Sequence, residues 1–151
     1  MAEGTQNTTI YSHAEFLSKN REAILQTLDR KVKGIYLNQA AFKDSKWGGI
    51  PLIFAQDHPN DLMLMTDPEK ALADVKGRFV GSVKSTRIET VGHPRLMGML
   101  DVTDDEVNTL IDEGKISLST SLFANNTANL TKILPTHVLL FIENDKAKPG
   151  D

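Results

Sequence analysis

The sequence predicts a mainly β fold with a few helices, α+β in class, closed into a small barrel or a twisted sheet. Three observations lead there. RFVGSVKSTRIET (78–90) and RLMGMLDV (95–102) flank the turn VGHP (91–94) as a long hairpin. ISLSTSLF (116–123) alternates strictly, with Ile116, Leu118 and Leu122 on one face and Ser117, Ser119 and Ser121 on the other. The chain has 151 residues, 40% of them apolar, which suits one domain around one core. Long antiparallel strands around a single core are best satisfied by closure.

The elements follow in order. Residues 1–11 are polar and expected to be flexible, with a single domain over 12–151. Ser12 and Glu15 have capping-box spacing, which predicts a helix with Phe16, Leu17, Ile24 and Leu28 on its apolar stripe, fading near Arg30 to Lys33. GIYLN (34–38) reads as a short strand and KDSKWGG (43–49) as a loop. IPLIFA (50–55) is a continuous apolar run, hence a buried strand, and it ends on Asp57-His58-Pro59. Asp67-Pro68 starts a helix with proline at its first position, and Gly77 stops it. Gly81 and Gly98 inside the hairpin strands mark bulges or close backbone approaches. Thr103 and Glu106 form a second capping box, after which Val107, Leu110 and Ile111 face the core and Gly114 ends the helix. ANNTANLTK (124–132) reads as a turn, and ILPTHVLLFIE (133–143) contains the last strand, with His137 at the head of its apolar run. The sum is about six strands and two or three helices.

Bulk properties exclude several functions. A formal charge of −3 offers no electrostatic case for nucleic acid or an anionic membrane as partner. The chain has no cysteine, so disulfides, thiolate nucleophiles and cysteine-based zinc sites are excluded. No apolar stretch reads as a signal peptide or a membrane span. There is no glycine-rich phosphate loop and no dinucleotide fingerprint, so no cofactor is expected.

What remains is hydroxyl and imidazole chemistry. Ser119 sits on an apolar-backed strand, a rigid platform for a small nucleophile, although a serine face is also what a half-exposed strand shows to solvent. His58 follows a buried strand and precedes Pro59, which holds its backbone extended; it could equally cap a local turn with Asp57. His137 could orient that first histidine, the task an aspartate performs in the commoner triad, or donate to a carbonyl at the core edge. A neutral His58 acting as base would ionise near the ordinary imidazole value, about 6–7. His93 lies in the predicted hairpin turn and offers a third reading, a metal site made by His58, His93 and His137.

WGGIPLIFAQDHPN, RFVGSVKS, LMGMLDVTDDEVNTLIDEGKISLSTSL and THVLLFIENDKAKPGD, in that order, resemble the capsid-maturation (prohead) proteases of tailed viruses, relatives of herpesvirus assemblin. The matching motifs are Asp57-His58-Pro59, Val80-Gly81-Ser82-Val83, the stretch Gly98 to Gly114, Leu118-Ser119 and His137-Val138-Leu139-Leu140. The resemblance implies a closed barrel of about seven strands surrounded by helices. It implies a serine endopeptidase with Ser119 as nucleophile, His58 as general base and His137 as third member. It implies viral coat and scaffold proteins as substrates, a homodimer as a further association, and action inside the immature procapsid in the host cytoplasm. Two positions depart from the family pattern. Ser121 stands where many phage relatives have glycine, and Lys146 and Lys148 are the nearest basic residues after the last strand, where assemblin-like enzymes carry paired arginines. A non-catalytic barrel of the same fold, serving as scaffold or capsid-associated protein, is the alternative.

Overall fold

Alternating burial over residues 10–15 and continuous burial over residues 135–140 are both satisfied when the strands close on one another. The computed structural model describes residues 7–17, 21–32, 35–43, 45–125 and 133–142. The barrel strands are β1 (Asn7–Phe16), β2 (Glu22–Thr27), β5 (Pro51–Phe54), β6 (Arg78–Glu89), β7 (Arg95–Val102), β8 (Ile116–Asn125) and β9 (Ile133–Ile142). A two-stranded ribbon adds β3 (Lys31–Val32) and β4 (Ile35–Tyr36). Four short helices complete it: α1 (Gln39–Lys43), α2 (Asp61–Thr66), α3 (Pro68–Asp74) and α4 (Asp105–Asp112). The strand order is β1-β2-β7-β6-β5-β9-β8, closing β8 onto β1, and the expected α+β barrel of seven strands is what forms.

Neighbouring barrel strands run antiparallel except β5 and β9, which are parallel. Inward residues such as Ile10, Leu25, Leu52, Val83, Leu118, Leu122, Val138 and Leu140 form one core, which Phe42 and Trp47 join from α1 and the loop after it. Trp47 Nε1 donates to Ser45 Oγ at 2.9 Å, so the indole is buried without an orphaned donor.

Strand β5 is apolar throughout because both its faces are covered. Leu52 points into the barrel, while Ile53 and Ala55 join Leu139 on the outside, under Leu64 of α2 and Leu72 of α3. Asp67 caps α3, accepting from Lys70 N at 3.3 Å, and Pro68 occupies the first turn as expected. Helix α4 is also where expected, but its cap is Asp104, which accepts from Val107 N at 3.0 Å. Thr103 Oγ1 instead donates to Val80 O at 3.3 Å.

The N-terminal third differs from expectation. Residues 12–16 and 22–27 are strand rather than helix, and residues 7–11 are not a loose end but part of β1. The spacing of Ser12 and Glu15 is coincidental. Ile10, Ser12 and Ala14 face inward while Tyr11, His13 and Glu15 face outward, a period of two. Pairing with β8 over Asn7↔Asn125 to Ala14↔Leu118 closes the barrel and overrides the local helical signal. Residues 1–6 and most of the predicted turn after β8 lie outside the described residues.

Gly81 and Gly98 are both close approaches. A Cβ on Gly98 would come within 2.6 Å of Leu25 Cδ1, and one on Gly81, whose φ is 153°, would sit 1.9 Å from Asp101 O. The Gly81 clash is with backbone, which a rotamer change cannot relieve. Gly81→Ala is therefore expected to destabilise the barrel by about 3 kcal/mol or more. A urea-unfolding midpoint unchanged from wild type would contradict the close approach of β6 and β7.

Candidate active site

Strand alternation assembles the site on the outer face of the barrel. In β8, Leu118, Thr120 and Leu122 point inward, which turns Ser119 and Ser121 outward. Strand β9 pairs Ser119↔Leu139 and Ser121↔His137, so His137 emerges on the same outer face, diagonally across from Ser119. A register shift beyond Ser121 leaves Thr136 as the extra residue of β9. His137 lies within β9 rather than at its head, and its side chain is fully buried.

His58 arrives from the parallel neighbour. After β5, Ala55 N still donates to Leu140 O at 3.2 Å, and the chain then turns away. The backbone N–H of His58 donates to Asp57 Oδ1 at 2.7 Å, and Pro59 follows. Asn60 then caps α2 by accepting from Met63 N at 2.9 Å. This abrupt passage from strand to helix places His58 and Asp61 three residues apart against β9.

The resulting contacts form a row. Ser119 Oγ is 2.8 Å from His58 Nε2, and His58 Nδ1 is 2.8 Å from His137 Nε2. His137 Nδ1 is 3.0 Å from Asp61 Oδ1, an ion-pair distance without hydrogen-bond alignment, since Oδ1 has no hydrogen-bond partner. Thr136 Oγ1 stands 3.3 Å from the same ring nitrogen. The other carboxylate oxygen, Asp61 Oδ2, accepts from Ser121 Oγ at 2.9 Å. Tyr11 of β1 stacks on the His58 ring, with centroids 4.0 Å apart and planes at 18°.

Burial sets the electrostatics. Desolvation pushes the His58 pKa down to about 4, and the His137 ring adds to the shift, against smaller opposing effects from Asp57 and Asp61. Burial alone would raise the Asp61 carboxyl, but the adjacent His137 ring, with help from the Ser121 hydroxyl, outweighs it and holds the pKa below the usual value. Burial, then Asp61 and Asp57, raise the Tyr11 hydroxyl. A neutral imidazole whose Nε2 faces a serine hydroxyl is an arrangement that can accept the serine proton when that nitrogen is bare.

Of the sequence-predicted residues, Ser119, His58 and His137 are thus brought into one hydrogen-bonded set. His93 is not part of it. Its Nε2 lies 2.6 Å from Leu28 O, at the β6–β7 turn, so the three-histidine metal site does not form. Among the described residues no group of three His, Asp or Glu side chains could hold a metal ion. Lys146 and Lys148 lie outside the described residues. Sequence reasoning missed Asp61 and Tyr11. Asp61 was within reach, three residues beyond His58 and next to the cap Asn60; Tyr11 was hidden in a segment read as loose.

A hollow of about 350 Å³ beside α2 is lined by Asp61 and Thr136 together with Leu64, Met65, Phe79 and Leu134. A second hollow, about 620 Å³ between α1 and β6, contains none of the site residues. Comparison of the chain with protein-family models, with curated proteins and with solved structures returns no match.

The depressed His58 value makes a direct prediction. A lowered pKa means the ring is neutral at neutral pH and takes its proton only as pH falls to about 4. Titration of the His58 ring protons by NMR is expected to show a midpoint near there; a midpoint near the ordinary 6.5 would show that the ring is better solvated than this geometry allows.

Proposed function

We propose that this protein is a serine endopeptidase of the prohead-maturation type, which cuts coat and scaffold proteins within an immature viral shell in the host cytoplasm. The single observation that carries the enzymatic part is the row Ser119–His58–His137, with 2.8 Å at each step. The viral part rests on the ordered motifs of the sequence.

In this reading Ser119 Oγ attacks the scissile carbonyl carbon while its proton moves to His58 Nε2. His58 then gives that proton to the leaving amine nitrogen as the C–N bond breaks, which leaves an ester on Ser119. Water, deprotonated by His58 Nε2, then attacks the ester; the acyl–Oγ bond breaks, His58 returns its proton to Ser119 Oγ, and the acyl half leaves as the carboxylic acid. His137 accepts the Nδ1–H of His58 and so holds the base with Nε2 facing the serine. Because His58 is neutral down to about pH 4, cleavage should rise through that value and stay level through neutrality, until another group titrates.

The test is co-expression with a coat protein of the same virus, followed by mass spectrometry of its termini. Ser119→Ala and His58→Ala are each expected to lower cleavage by about 10³-fold or more, and the double variant by no more than either, since both act in one proton transfer. His137→Ala is expected to cost less, about 10- to 100-fold, because it acts on the base rather than on the substrate. A fluorophosphonate should label Ser119, and chelators should leave activity intact. Loss of cleavage with a chelator and recovery with zinc would overturn the serine mechanism. A wild-type protein that neither cleaves nor takes the label would favour the non-catalytic barrel.

A further inference from the structure

We propose that Asp61 is a fourth member of this row, a positioning residue that fixes, through His137, which ring nitrogens carry protons and so keeps His58 Nε2 open to Ser119. The inference rests on the serine-protease reading above and extends it by one residue.

The proton positions follow one another. For His58 Nε2 to accept from the Ser119 hydroxyl, the ring proton must be on Nδ1. That N–H points at His137 Nε2, which must therefore be bare. The proton of neutral His137 is then on Nδ1, and both groups facing Nδ1 are acceptors. Asp61 Oδ1 is a carboxylate oxygen at 3.0 Å. Thr136 Oγ1, at 3.3 Å, spends its own proton on Ser121 O at 3.0 Å and meets the ring with a lone pair. The reverse tautomer would set a bare Nδ1 against a buried anion and leave two N–H groups facing each other between the rings. The carboxylate thus selects the orientation of the whole row.

The same carboxylate supplies charge. When His58 takes the serine proton, the charge that offsets it must come from a nearby anion. The groups facing His58 are Tyr11 from β1, Asp57 from its own loop, His137 from β9 and, behind His137, Asp61 from α2. Tyr11 is neutral at neutral pH, its hydroxyl pKa being raised. Of the two anions, Asp57 is exposed, where solvent screens it, whereas Asp61 is 5% exposed. Asp61 is also held in place, since Ser121 donates to Oδ2 at 2.9 Å.

An acidic residue in the first turn of α2 could serve the helix alone. The cap, however, is Asn60, and the helix has only six residues. A purely structural role would change stability and leave ring tautomers untouched.

The test reads tautomers and nucleophile reactivity separately. In ¹⁵N-labelled wild-type protein near neutral pH, both His58 and His137 should show a protonated Nδ1 and a bare Nε2. Asp61→Asn is nearly isosteric but neutral, and its amide can present either oxygen or NH₂ to the ring. It should give a mixed His137 tautomer and slow fluorophosphonate labelling of Ser119 by about 10- to 100-fold. That is less than the roughly 10⁴-fold loss when a carboxylate touching the base is neutralised, because an imidazole intervenes. Ser121→Ala, which frees only Oδ2, should slow labelling about two- to fivefold. A folded Asp61→Asn protein with wild-type tautomers and a labelling rate within about twofold of wild type would overturn the proposal. If circular dichroism shows that Asp61→Asn does not fold, the wild-type spectrum and Ser121→Ala decide: a His137 proton on Nε2 would overturn it. Failure of wild-type Ser119 to label at all would count against the protease reading, while the tautomers still report on Asp61.

Discussion

The position of β9 is the constraint on which the site depends. This strand pairs antiparallel with β8 and parallel with β5, so one register sets two juxtapositions. Ser121↔His137 puts the second histidine on the face of Ser119, and Leu52↔Val138 to Phe54↔Leu140 fixes where the end of β5 releases His58. A slip of one residue would carry His137 into the barrel and turn Val138 and Leu140 out of it. Each of those two side chains is fully buried, worth about 1.5–3 kcal/mol against exposure, so the core itself penalises the wrong register. The packing that closes the barrel and the geometry of the site are one requirement.

The second layer outside the barrel is equally specific. Ile53, Ala55 and Leu139 would be an apolar patch if left bare, and Leu64 and Leu72 of α2 and α3 cover them. That burial draws the start of α2 against β9, and Asp61 comes with it. His137 is fully buried there, and His58 is partly buried between it and Tyr11. Drying disfavours a charged His58, which lowers its pKa, and at the same time strengthens any interaction with a nearby anion. A buried carboxylate behind the second ring is the physical counterpart of that desolvation. Ser121 then has a clear structural task, since a residue without a hydroxyl there would leave Asp61 Oδ2 without its donor.

Local patterns in the chain were legible wherever the signal was local. The β6–β7 hairpin, the apolar run of β5, the alternation of β8, and the starts of α3 and α4 could all be read within a window of about ten residues. Ser119 and His137 stood out because each lies on a strand, and His58 because Pro59 restricts its backbone just after one. The N-terminal segment misled because Ser12 and Glu15 satisfy a helical spacing, while the signal that decides its fate is its pairing with β8. That partner is more than a hundred residues away, where no local window reaches. His93 misled in a milder way: its residue type suits a metal, but its partner is the Leu28 carbonyl.

By itself the sequence determined the class of fold, the strand and helix signals within each segment, and the residue types available for chemistry: serine and imidazole, with no thiol. Tertiary structure alone decided that β1 is a strand, that two histidines and a serine share one face, and that Asp61 stands behind them. The reason is range. Hydrophobic periodicity and capping act over a few residues, whereas the Ser119–His58–His137–Asp61 row joins segments roughly 60 to 80 positions apart and barrel closure joins segments more than a hundred apart, and only strand register brings them within bonding distance.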